Sequence, residues 1–135
     1  GGGAGGYRTF TETKDLETAY TVTVGEGGAG GDQNGIKGGN STFDTVTSTG
    51  GGRGGRGSNS NNAGTGGDGG SGGGAGNQAS GSTARGLGNQ GGHSPVEGRN
   101  GSAATGPSDD GSGGGAGGEG TKNGAGLTDR REWLY

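Results

Sequence analysis

Gly66-Gly67-Asp68-Gly69-Gly70-Ser71-Gly72-Gly73-Gly74 is the stretch that decides the fold. It is three consecutive GGx units, and an extended chain with three residues per turn brings every third residue to the same side. Where that side is glycine, neighbouring segments can approach closely, and their N–H and C=O groups can bond between segments. Order would then come from main-chain pairing rather than from buried side chains. A bundle of the polyglycine-II type is the expectation.

The rest of the chain supports that expectation by what it lacks. Glycine supplies 45 of 135 residues, only eleven residues are Val, Leu, Ile or Phe, and there is neither cysteine nor methionine. Ordering a residue costs roughly 1–2 kcal/mol of backbone entropy. Eleven large apolar side chains, at about 1.5–3 kcal/mol each when fully buried, cannot offset that over the whole length. Disulfides and thiolate metal sites are excluded. A net charge of −3 gives little self-repulsion, so the reading is an ordered chain without an apolar core. Collagen does not fit, because the period is broken repeatedly and Pro95 and Pro107 are the only prolines, against the roughly 15–20% that collagen requires. No stretch of 18 apolar residues is present to span a membrane. The opening Gly1-Gly2-Gly3-Ala4 without methionine reads as a processed product or a fragment.

Strand signals concentrate near the N-terminus. Tyr7 to Thr13 and Tyr20 to Val24 alternate with period two and are rich in β-branched and aromatic residues, with Lys14 to Ala19 as a hairpin connection. Phe43 to Thr49 is a third candidate strand. The expected fold is mostly irregular coil with a few short β-strands. Residues 1–50 would form a small β unit with Gly-rich loops. Residues 51–127 would form a Gly-rich rod with polar loops, completed by oligomerisation, and 128–135 a charged and aromatic tail. The polar links Ser58 to Asn62, Asn77 to Arg85, Gln90 to Asn100 and Ser102 to Asp110 consist of turn formers and read as surface loops.

Familiar site motifs fail on their context. Gly25-x-Gly27-x-x-Gly30 follows a strand, but no helical pattern follows to hold a pyrophosphate. Gly27 to Asp32 fits GGxGxD, yet Asn34 stands where a large apolar residue is needed, and no tandem copy follows. Gly51 to Gly57 carries two arginines without aromatics in an acidic chain, so Arg53 and Arg56 read as solubilising decoration rather than a nucleic-acid site. His93 has no second histidine or cysteine with which to share a metal, and Asp109-Asp110 has no acid/base partner. No catalytic, cofactor or metal residue is expected, because catalytic groups need rigid packed support. Asn40-Ser41-Thr42 and Asn100-Gly101-Ser102 fit the glycosylation sequon. The TxT runs at Thr9 to Thr13, Thr21 to Thr23 and Thr45 to Thr49 suit an ice-binding face, although threonine is also simply a good strand residue. Asp129-Arg130-Arg131-Glu132 offers a capping signal before Trp133, Leu134 and Tyr135. Those three are the candidate subunit-docking residues, since Trp and Tyr are preferred anchors.

The order of pieces carries a resemblance. Gly5-Gly6-Tyr7-Arg8-Thr9 is followed by Tyr20-Thr21-Val22-Thr23-Val24-Gly25-Glu26-Gly27-Gly28-Ala29-Gly30-Gly31. Gly38-Gly39-Asn40-Ser41-Thr42-Phe43, a Thr-rich strand and Thr49-Gly50-Gly51-Gly52 complete it. This resembles the glycine-rich domain of bacteriophage tail-fibre and related virion proteins of the marine phage type, over residues 5–57. Glu26 replaces the usual small residue, and Arg53 and Arg56 interrupt the usual glycine run. The family's later VTYAGGGG-like return is absent. The resemblance implies a sandwich of polyglycine-II helices with variable loops that touch a host receptor.

The functional expectation is therefore a non-enzymatic structural component of a virion or extracellular fibre. It would assemble with copies of itself and contact a bacterial surface glycan or outer-membrane protein through its polar links. Asn59, Asn61, Asn62, His93, Arg99 and Asn100 are the candidate receptor contacts. The alternatives are a self-assembling filament or coat protein without receptor role, an ice-binding protein, and a disordered linker. Nucleic acid is not an expected partner.

Overall fold

The computed structural model describes residues 1–60 and 62–122. Among them there is no helix, and the strands are short: β1 (Val22–Thr23), β2 (Ser41–Phe43), β3 (Val46–Ser48), β4 (Ser82–Thr83) and β5 (Ala104–Thr105). The expected class, mostly coil with a few short strands, is what the molecule has. Between the strands run ten extended segments bonded to one another through the main chain. They are numbered here 1 (residues 1–6), 2 (25–31), 3 (35–40), 4 (49–58), 5 (64–70), 6 (71–77), 7 (84–90), 8 (97–102), 9 (111–115) and 10 (118–122).

Segment 6 is the centre. Its N–H groups donate in rotation: Ser71 and Gly74 to segment 1, Gly72 and Ala75 to segment 8, Gly73 and Gly76 to segment 5. Its carbonyls accept in a complementary rotation. Gly52, Gly55 and Ser58 of segment 4 donate to Ser71, Gly74 and Asn77; Gly86 of segment 7 donates to Gly73; Gly111 and Gly114 of segment 9 donate to Ala75 and Gly72. Each of the three directions recurs every third residue, and six segments surround the one. Each bond is shared by two residues, so the share per residue is about one bond, roughly 0.5–1.5 kcal/mol net, of the same order as the ordering cost of about 1–2 kcal/mol. Residues 71–76 are all buried. The buried apolar side chains are only Ala75 and Ala104 among the described residues.

Glycine is obligatory in the centre for a steric reason. A Cβ on Gly73 would lie 1.8 Å from the Arg53 carbonyl oxygen, a backbone atom with nowhere to go. Segments 1 and 2–3 bond to segments 4, 6 and 9, so main-chain pairing runs across the expected boundary at residue 50.

The N-terminal strands differ in detail from the expectation. β1–β2–β3 form one antiparallel sheet, with Val22 opposite Phe43 and Thr42 opposite Thr47. Tyr7 to Thr13 joins no ladder, so the expected hairpin with Tyr20 to Val24 does not form. Phe43 to Thr49 is not one strand: Asp44 takes φ +53° and turns the chain between β2 and β3, a conformation aspartate tolerates. Phe10 and Tyr20 instead lie against Phe43 at ring separations of 6.2 and 6.3 Å. Lys14 sits over the Tyr20 ring and bonds Asp44 and Glu12. This cluster stays wet; Tyr7, Phe10, Leu16, Val22 and Val24 are exposed.

Candidate functional site

Successive segments run antiparallel, as the falling partner numbers record (Gly64 to Arg56, Gly67 to Arg53, Gly70 to Gly50). Connections therefore alternate between two ends. One end carries the aromatic lobe, the reversal at 69–71 and the 91–96 loop. The other carries 32–34, the 58–63 loop, the 78–83 loop and the 103–110 loop, all polar.

The polar end is tied together by side chains. The Arg56 guanidinium donates to Gln33 Oε1 at 2.7 Å and to the Asn62 carbonyl at 2.6 Å, while Asn34 Oδ1 accepts the Arg56 N–H at 2.9 Å. Ser58 and Ser60 pair their hydroxyls at 2.9 Å. Asn77 Nδ2 donates to the Pro107 carbonyl at 3.1 Å, and β4 pairs with β5 to join the third loop to the fourth. Thr105 donates to Asp109 and accepts from Lys122 Nζ. The end is a continuous hydrogen-bonded surface with exposed Asn59, Ser60 and Asn62 at its rim.

The candidate contacts from sequence are split by the fold. Asn59 and Asn62 lie on the polar end. His93 lies at the opposite end. Arg99 and Asn100 belong to segment 8: Arg99 bonds through its backbone to Gly72 and Gly115, and the Asn100 side chain bridges the Gly88 N–H and Glu119. Asn61, and the docking candidates Trp133, Leu134 and Tyr135, lie outside the described residues. Among the described residues, no group of three or more His, Asp or Glu is gathered that could hold a metal ion.

Two organising groups carried no obvious signal. Arg56 was legible only as decoration; its spacing of three from Arg53 puts both on one side of an extended segment, a hint that the side is occupied. Arg53 lays its stem across Gly67, with its Nε buried and without a partner among the described residues. Glu97 is the other, with no exposed surface. Its carboxylate accepts the Thr49 N–H and the Gly91 N–H, each at 3.0 Å, with His93 Nε2 at 3.7 Å. Burial is the largest single influence and pushes the carboxyl up. The side chain and N–H of Thr49, the Gly91 N–H and His93 act the other way and together hold it below 4.5. Asn89 Oδ1 accepts the N–H groups of His93 and Glu97, fixing the same loop.

A family model described as a glycine-rich domain matches residues 1–133, and the chain belongs to that glycine-rich domain family. No curated protein and no solved structure matches it.

Proposed function

We propose that this member of the glycine-rich domain family is a non-enzymatic structural component of a phage virion or extracellular fibre. Its segments act as polyglycine-II helices, and it meets the host surface through the polar end. The observation that carries this reading is the pairing of a backbone-bonded bundle with four side-chain-stitched polar loops at one end. The glycine interior packs without the loops' outer side chains, so exposed residues such as Asn59, Ser60 and Asn62 can vary while the bundle that holds them stays. The contact is polar and multivalent, with a bacterial surface glycan or outer-membrane protein as partner, and repeated copies in a fibre supply avidity. The resemblance over residues 5–57 to phage tail-fibre domains points the same way.

The test uses whole cells of a panel of marine Gram-negative bacteria and the labelled 135-residue chain. A strain that binds the chain should lose that binding with Asn59→Ala/Ser60→Ala/Asn62→Ala and keep it with Ser94→Ala at the opposite end. Equal binding by both variants would overturn the assignment of the polar end.

A further inference from the structure

Segment 4 has two gaps beside it, and they differ in kind. One, of about 520 Å³, is lined by the charged side chains of Lys37, Arg53, Asp68 and Arg85 as well as by Gly66 and Gly67, so a backbone entering it would meet side chains. The other is a groove of about 600 Å³ between segments 1 and 2, walled mainly by glycine, with Glu26, Ile36, Thr49 and Arg53 among the exceptions. The N–H groups of segment 4 sort by threes. Those of Gly52, Gly55 and Ser58 reach segment 6, and those of Gly50 and Arg56 are taken by Asn40 and Asn34 side chains. Among the described residues the N–H groups of Gly51, Arg53, Gly54 and Gly57 find no acceptor, and Gly51 and Gly54, three residues apart, line the groove without a side chain. Gly3 and Gly6 line it as well; the Gly6 carbonyl accepts nothing among the described residues, whereas the Gly3 carbonyl is turned onto Gly51, where a Cβ would lie 2.2 Å from it. Unpaired N–H groups three residues apart at Gly51 and Gly54, on a wall without side chains there, are what one more extended glycine segment would satisfy.

Segment 2 is built to be that occupant. Glu26, Ala29 and Asp32 fall on one side of a three-residue turn, and the other two sides are glycine alone. Gly28 faces segment 3, where a Cβ would lie 1.9 Å from the Ile36 carbonyl oxygen. Gly27 and Gly30 are open, with nothing among the described residues within 4 Å of a Cβ. Segment 2 borders the groove of its own chain, so a two-fold axis between the two lets each copy offer segment 2 to the other's groove, an isologous exchange.

We propose that this groove is an interface for a second copy of the chain, filled reciprocally by residues 25–31 of the partner. The proposal rests on the polyglycine-II reading of the segments but not on the receptor role. Analytical ultracentrifugation of the full chain across a wide concentration range should give twice the 12.6 kDa monomer mass. Gly27→Val/Gly30→Val, whose added Cβ atoms meet no described atom within 4 Å, should return it to monomer, while Gly117→Val, equally open and outside the groove lining, leaves the dimer intact. Hydrogen exchange at Gly51 and Gly54 should slow as wild-type concentration rises and stay fast in the double variant, with segment 6 protected in both. A wild-type chain that remains monomeric overturns the proposal and leaves the groove to a glycine-rich segment of a different protein. A double variant that dimerises like wild type overturns it too, by placing the contact on another face. Neither result touches the cell-binding test of the polar end.

Discussion

The central segments and the aromatic lobe invert the usual distribution of side chains. In the centre, residues 71–76 are buried and carry almost no side chain, and their order comes from N–H and C=O groups bonded in six directions. In the lobe, Phe10 and Tyr20 lie against Phe43, yet Phe10 and Phe43 remain 47% and 36% exposed. Aromatic residues ordinarily dominate a core. Here they cap one end of a bundle whose interior holds little beyond glycine, with Ser71 and Ala75 the only side chains of the central 71–76 stretch. Burial depth in this molecule therefore tracks hydrogen-bond density, not hydrophobicity.

The comparison breaks most visibly in the centre. Gly73→Val should cost on the order of 4 kcal/mol, a large share of a small domain's stability, because its Cβ would meet backbone rather than a movable side chain. Denaturant unfolding checks this, and near-wild-type stability would mean that the segments are not packed as described.

Glu97 joins the two regions, since its carboxylate holds Thr49 at the end of the β3 strand and Gly91 in the loop beside the lobe. Glu97→Gln should cost about 2–3 kcal/mol, because one N–H that now meets an oxygen would meet an amide NH₂. The folded carboxyl lies below 4.5, so on acidification the unfolded chain takes up the proton first. The contribution of Glu97 is complete above about pH 4.5 and is lost as pH falls through the lower folded value. Stability measured from pH 7 to pH 3 should fall for wild type and flatten in the glutamine variant.

The smallest effect belongs to the lobe. Phe43→Ala should cost about 1 kcal/mol or less, given half-wet ring contacts, and should leave the exchange of segment 6 amides unchanged. Loss of central protection in that variant would show that the lobe nucleates the bundle rather than decorating it.

Much of this was legible in the residues. The GGx units at 66–74 announced three-residue recurrence, and the Asn, Ser and Asp runs announced loops. The Phe43 to Thr49 run misled, because its β-branched pattern hid a turn that Asp44 alone permits. Arg99 and Asn100 looked like loop residues by composition, but segment 8 needs them where they are, Asn100 as a bridge to Gly88 and Glu119. Glu97 gave no signal at all. A single carboxylate among polar neighbours looks solvated until the chain closes around it.

By itself, the sequence determined that no apolar interior could form and that contact between segments had to be nearly free of side chains. Composition fixes the supply of burial area and of Cβ atoms, and both are local properties. Only the tertiary structure decided that 71–76 would be the centre, that polar loops would gather at one end, and that a mainly glycine-lined groove would stay open beside segment 4. Many glycine runs here are interchangeable as isolated stretches; which one is surrounded depends on chain order and loop length. Those are properties of the closed assembly rather than of any single segment.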